Sequence, residues 1–119
     1  MKTPFITTCV VALACTSVGF AVPPLVTQWK LNTTGATGYG GAIADVTLVR
    51  YSTTNVYVTC SGIPSYTIGP WNSPNTATAM NWVYKLPLNP VQNTGTATTV
   101  GLGHAAVLRD GTAIYNARD

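Results

Sequence analysis

No glutamate occurs anywhere in the chain, and its acidic residues are only Asp45, Asp110 and Asp119. Histidine is equally scarce, with His104 alone. A carboxylate pair for glycoside hydrolysis would have to come from three aspartates. Asp110 precedes a glycine as a turn residue does, and Asp119 is the last residue. A Ser-His-Asp triad could use only His104, and no Gly-x-Ser-x-Gly elbow presents a nucleophile. No catalytic residue is therefore assigned, and a non-enzymatic role is the expectation.

Cysteine is short as well. Cys9 and Cys15 fall in the first 15 residues, which leaves Cys60 by itself in the rest of the chain. A transition-metal centre needs several N or S ligands, with His104 and Cys60 as its only candidates. Met80 or an aspartate could join them, but they form no spaced motif. A Cys60–His104 nucleophilic dyad is conceivable. The simpler expectation is that Cys60 ends an apolar strand face as a small buried hydrophobe and that His104 is an ordinary strand residue. No cofactor is assigned to the chain as it stands.

Basic residues are few and scattered: Lys30, Arg50, Lys85, Arg109 and Arg118 follow Lys2 without clustering. That is no footprint for nucleic acid or anionic lipid. No stretch after residue 22 is long and apolar enough for a membrane anchor.

What is present begins at the N-terminus. Met1-Lys2 precedes an uncharged apolar stretch from Phe5 to Phe20, ending in Gly19-Phe20-Ala21. Small residues at −3 and −1 of a cut after Ala21 make residues 1–21 a signal peptide. Export to the periplasm or beyond is the expected localisation. Ala12-Leu13-Ala14-Cys15 loosely resembles a lipoprotein cleavage box, but Ala12 stands where leucine is usual, so ordinary cleavage is preferred. Residues 22–119 then form one domain, to which Pro23-Pro24 should give an extended start.

Thr, Val, Tyr, Gly, Asn and Pro dominate that domain, and no stretch shows helical spacing over three turns. Strands are expected over 45–51, 56–60 and 80–86. Val56, Val58 and Cys60 should share one face, as should Trp82, Tyr84 and Leu86. Asp110-Gly111 between apolar runs predicts a hairpin over 105–115 with a two-residue type I′ turn, which sets Arg109 opposite Thr112 and Val107 opposite Ile114. The fold class is all-β, an antiparallel sandwich or open barrel. Residues 32–44 are Gly- and Thr-rich and read as flexible. Residues 61–79 hold Pro64, Pro70 and Pro74, and a loop of that length in a small domain suggests binding. Its aromatic residues, Tyr66 and Trp71, are the candidate ligand-binding residues for a carbohydrate or protein partner. The alternative is that Trp71 folds back to seal the core.

Several pieces from Val56 onward occur in a recognisable order. Gly62-Ile-Pro, Pro74-Asn, Leu86-Pro-Leu-Asn-Pro90 and Asp110-Gly-Thr-Ala-Ile-Tyr-Asn116 follow one another. Together they resemble the first half of the YHYH domain, a family of exported proteins named for a Tyr-His-Tyr-His motif. The likeness covers residues 56–119 and stops short of the motif itself. It implies an exported β-domain, and a transition metal in a full-length relative, where clustered histidines would supply ligands. No site residue is carried over from it. On this reading the domain is a fragment, with unpaired strand edges that favour self-association.

N-terminal sequencing of the exported protein should give Val22 as the first residue. A chain that starts at Met1, or at a lipidated Cys15, would contradict the cleavage assignment.

Overall fold

A computed structural model describes residues 21–72, 74–99 and 101–116. The proposed signal segment and its cleavage motif lie almost wholly outside the described residues. Among those residues the chain is all-β in character, with two antiparallel sheets and no closed barrel. No helix among the described residues is long and apolar enough to cross a membrane.

Strands β1 (Val46–Tyr51), β2 (Asn55–Cys60) and β3 (Trp82–Pro87) form one sheet in the order β1-β2-β3. Alternation drives it. Val56, Val58 and Cys60 are buried on β2, while Trp82, Tyr84 and Leu86 are the half-buried residues of β3. Cross-strand pairing stacks them in rows: Val46–Cys60–Trp82, Val49–Val58–Tyr84 and Tyr51–Val56–Leu86. A bulge at Thr47 breaks the β1 register between Val46 and Leu48. The extra residue lets Val46 and Val49, an odd number of positions apart, both face the core.

The chain reaches this sheet through a short helical turn, α1 (Pro24–Thr27), and not through an extended segment. Pro23 is extended at φ −57°, ψ 140°, but Pro24 occupies the first helical position, where its fixed φ suits a helix and its missing N–H costs nothing. Leu25 and Val26 pack on the core beside the buried Trp29, whose indole N–H donates to the Leu25 carbonyl at 2.6 Å.

Residues 32–44 also depart from the flexible coil expected of them. The Asn32 side chain closes the segment, donating to the carbonyls of Ala36 and Ala44 and accepting from the Ala36 N–H. Gly38 lies against the backbone of Pro64 so closely that a Cβ there would stand 2.2 Å from its carbonyl oxygen.

The second sheet is a hairpin of β4 (His104–Val107) and β5 (Ala113–Tyr115). Its turn is one residue longer than the type I′ turn read from Asp110-Gly111. Val107 pairs with Ala113 and Ala106 with Ile114. The Gly111 N–H donates to the Leu108 carbonyl at 2.9 Å, and the Leu108 N–H to the Thr112 carbonyl at 2.8 Å. Gly111 has φ +86°, whereas Asp110 keeps a negative φ. This is a three-residue loop with glycine in the left-handed position. Asp110 is buried and uses Oδ1 to accept the Thr112 N–H at 2.9 Å, so its side chain stabilises a turn that its backbone does not need to strain for.

The hairpin lies on the inner face of the first sheet. Val107 packs against the core cluster, and the Gly111 backbone presses on Cys60. A Cβ added to Gly111 would sit 2.4 Å from the Cys60 Cβ. The turn is also fastened to the N-terminal segment: the Lys30 N–H donates to the Arg109 carbonyl, and the Arg109 guanidinium donates to the Gln28 carbonyl at 2.6 Å.

Gly111→Val should lower unfolding free energy by about 2 kcal/mol or more, because it adds left-handed strain to a clash with Cys60. Urea denaturation measures this, and an unchanged midpoint would contradict both the turn geometry and the contact.

Candidate functional site

Two clusters emerge where the sheets meet, one a cleft and the other an aromatic joint. The cleft is built on the segment between β2 and β3. Its base is closed by the Met80 N–H donating to the Ser61 carbonyl at 2.8 Å. Its first residues are held from the other side by Asp45. This aspartate is 3% exposed and adopts φ +62°, a left-handed conformation that Asp tolerates better than most residues. Its Oδ1 accepts the Ser65 N–H at 3.0 Å, its Oδ2 pairs with the Lys30 ammonium at 3.1 Å, and its own N–H donates to the Ile63 carbonyl. Lys30 also reaches the Ser65 hydroxyl. Ile63 and Pro64 are thereby buried, and the chain beyond them stands out as a wall.

Between that wall and the inner sheet edges lies a concave cleft of about 630 Å³. Tyr66, Ile68 and Trp71 line it from the wall, Met80 and Trp82 from the approach to β3, and Thr112, Ala113 and Tyr115 from the hairpin. Asn75, Thr76 and Thr78 add polar groups. Among the described residues, none of those that line it is charged. A smaller concavity of about 230 Å³, beside Thr37, Tyr39 and Ser65, shares Tyr66 and Ile68 with it.

The two tryptophans of the cleft, Trp71 and Trp82, rest on loop glycines with positive φ. Gly69 lies against the six-membered ring of Trp71 and Gly62 against that of Trp82, each so close that a Cβ would fall 2.6 Å from a ring carbon. Trp71 is 39% exposed and outside the core cluster. Its indole N–H donates to the Asn75 carbonyl at 2.8 Å, and Tyr39 stands 5.3 Å away, centroid to centroid, tilted by 36°. The ring is fixed before any ligand arrives. Tyr66 is 52% exposed.

The aromatic joint surrounds His104. Its Nδ1 is 3.0 Å from the Tyr84 hydroxyl and its Nε2 3.1 Å from the Tyr115 hydroxyl. Its ring meets Trp82 edge-on at 4.4 Å. These contacts tie β3 to the open end of the hairpin. Burial pushes the Tyr84 phenol up to about 12, with smaller contributions from Cys60 and Tyr115.

The two candidate metal ligands are engaged separately. Cys60 is 2% exposed, and its thiol donates to the Gly111 carbonyl at 3.2 Å. Burial pushes that thiol up, the Gly62 backbone opposes this, and Asp110 adds to it, so the reactive thiolate is disfavoured. His104 spends both ring nitrogens on tyrosines, so no Cys60–His104 dyad forms. Among the described residues no three His, Cys, Asp or Glu side chains gather as a metal set would. Met80 lines the cleft instead.

The structure thus brings Tyr66 and Trp71 to one cleft and leaves Cys60 and His104 outside it. Sequence reasoning did not reach Trp82, Thr112 and Tyr115 as cleft residues. They lie on strands whose alternation reports only burial, and the approach of β5 to the 61–79 segment is a tertiary fact. No protein-family model, curated protein or solved structure matches the chain.

The raised Tyr84 phenol predicts a pH window. Between the ordinary phenol value of about 10 and about 12, the unfolded chain loses the Tyr84 proton while the folded chain keeps it. Stability from this group is complete below pH 10 and falls as pH rises towards 12. Phenolate absorbance of wild type against Tyr84→Phe should show one tyrosine titrating late. Identical titration of the remaining tyrosines and of the wild type up to pH 12 would contradict it.

Proposed function

We propose that this chain is an exported β-domain that recognises carbohydrate through the cleft between the 61–79 segment and the hairpin. One observation carries the reading: a cleft whose lining, among the described residues, is uncharged, walled by preset aromatic rings and edged with hydroxyl and amide side chains. Sugars have that mixed character, with C–H faces that pack on aromatic rings and hydroxyls at their edges. A nucleotide or an acidic ligand would call for cationic lining. Lys30, which reaches Ser65 at the smaller concavity, is already paired with Asp45. The adjoining concavity at Tyr66 extends the surface and suits an oligomer better than a monosaccharide.

The resemblance to the YHYH domain is compatible with this reading and supports export and β architecture only. Its metal link draws on a motif outside this sequence, so the metal reading gains no residue here. Protein recognition through the same loop is the second reading, which the test below also addresses.

Titration with glucose, N-acetylglucosamine and mannose oligomers, followed by tryptophan fluorescence and calorimetry, should show saturable binding. Trp71→Ala should weaken it roughly tenfold, or about 1.4 kcal/mol, with little change in melting temperature since the ring lies outside the core. Absence of binding across these sugars would overturn carbohydrate recognition and favour a protein partner.

A further inference from the structure

The Thr112 side chain carries a buried hydroxyl with no hydrogen-bond partner. Among the described residues this is the one buried side-chain polar atom without a partner. The residue as a whole is half-buried and lines the cleft. Its backbone is fully engaged: the N–H donates to Asp110 Oδ1 and the carbonyl accepts from the Leu108 N–H. The hydroxyl therefore does not serve the turn, and valine has the same shape with no polar group to bury.

A buried unpaired hydroxyl costs free energy that a paired one does not, and native proteins rarely keep one without use. Threonine offers a simple remedy. Rotation about χ1 by a third of a turn carries the hydroxyl into the place of the methyl or of the Cβ hydrogen, so the same side chain can present its hydroxyl elsewhere. The backbone that carries it is fixed by the Gly111–Cys60 contact and by Asp110, so this rotation needs no movement of β5. Trp71 and Tyr66 line the same cleft from the 61–79 segment and Thr112 lines it from the hairpin, so one ligand in the cleft can meet both the aromatic rings and Thr112.

We propose that Thr112 is a specificity-determining residue of the cleft, which turns its hydroxyl towards the ligand and hydrogen-bonds a sugar hydroxyl. The proposal rests on the carbohydrate reading and adds to it the polar contact that aromatic stacking alone does not provide. The unliganded protein then keeps an unsatisfied group that binding satisfies, and discrimination follows because a ligand without a hydroxyl at that point leaves Thr112 unpaired.

Thr112→Val and Thr112→Ser test this against the wild type, with the oligosaccharide that the wild type binds most tightly among glucose, N-acetylglucosamine and mannose oligomers. Thr112→Val should melt at the same or a higher temperature and bind roughly fivefold or more weakly, while Thr112→Ser keeps binding within about twofold. If the wild type binds and Thr112→Val binds equally well, the role of Thr112 is wrong and carbohydrate recognition stands. A lower melting temperature for Thr112→Val would show that the hydroxyl is satisfied within the fold, which also overturns the role. Failure of the wild type to bind any of these sugars removes the carbohydrate reading and this assignment together.

Discussion

The contact of the Gly111 backbone with the Cys60 side chain fixes where the two sheets meet. Only a residue without Cβ can come so near, and only glycine takes φ +86° at no steric cost. The Cys60 thiol completes the contact by donating to the Gly111 carbonyl. Cysteine at the end of the apolar face of β2 is therefore less a chemical group than a small, soft side chain with one weak donor. The position of the hairpin follows from this: Val107 reaches the core, Arg109 reaches the Gln28 carbonyl, and Thr112 and Tyr115 come to line the cleft.

The opposite wall depends on a second fixed point. Asp45 is a buried carboxylate in a left-handed conformation, and it holds because every part of it is used. Lys30 compensates its charge, Ser65 and Ile63 take its hydrogen bonds, and β1 starts at the next residue. Isolated buried charges are costly, but one with a close cation and backbone partners can serve as a rigid anchor. From it the 61–79 segment departs in a defined direction. Stacking of Trp71 on Gly69 and Tyr39 then stiffens the far part of the wall.

Between these two anchors the domain sets rings and hydroxyls around an open volume. Its nucleophile is buried with its thiol pushed up, and its histidine is held by two tyrosines, so neither lies free at the cleft. The described residues at the cleft offer stacking, hydrogen bonding and shape. The proposed recognition role rests on this chemistry.

Alternation made the strands legible. Val56, Val58 and Cys60, and Trp82, Tyr84 and Leu86, fall on single faces because a pleated chain gives no other option, and the all-β class follows. The 61–79 segment with Tyr66 and Trp71 could likewise be picked out as a long proline-rich loop that carries aromatic rings, since length, proline and aromatics are local properties, and the structure places both rings at one cleft. The turn at Asp110-Gly111 was only half legible. Local preference admits both the two-residue and the three-residue loop, and the docking of Gly111 on Cys60, far away along the chain, coincides with the longer one. The helical turn at Pro24 was hidden for a similar reason, because its stability comes from Leu25 and Val26 packing beside Trp29. The sequence by itself determined which residues form strands and which face each side chain takes, because these depend on neighbours two positions away. Only the tertiary structure decided that Trp82, Thr112 and Tyr115 share a cleft with Trp71, because that depends on close packing between segments with no local relation.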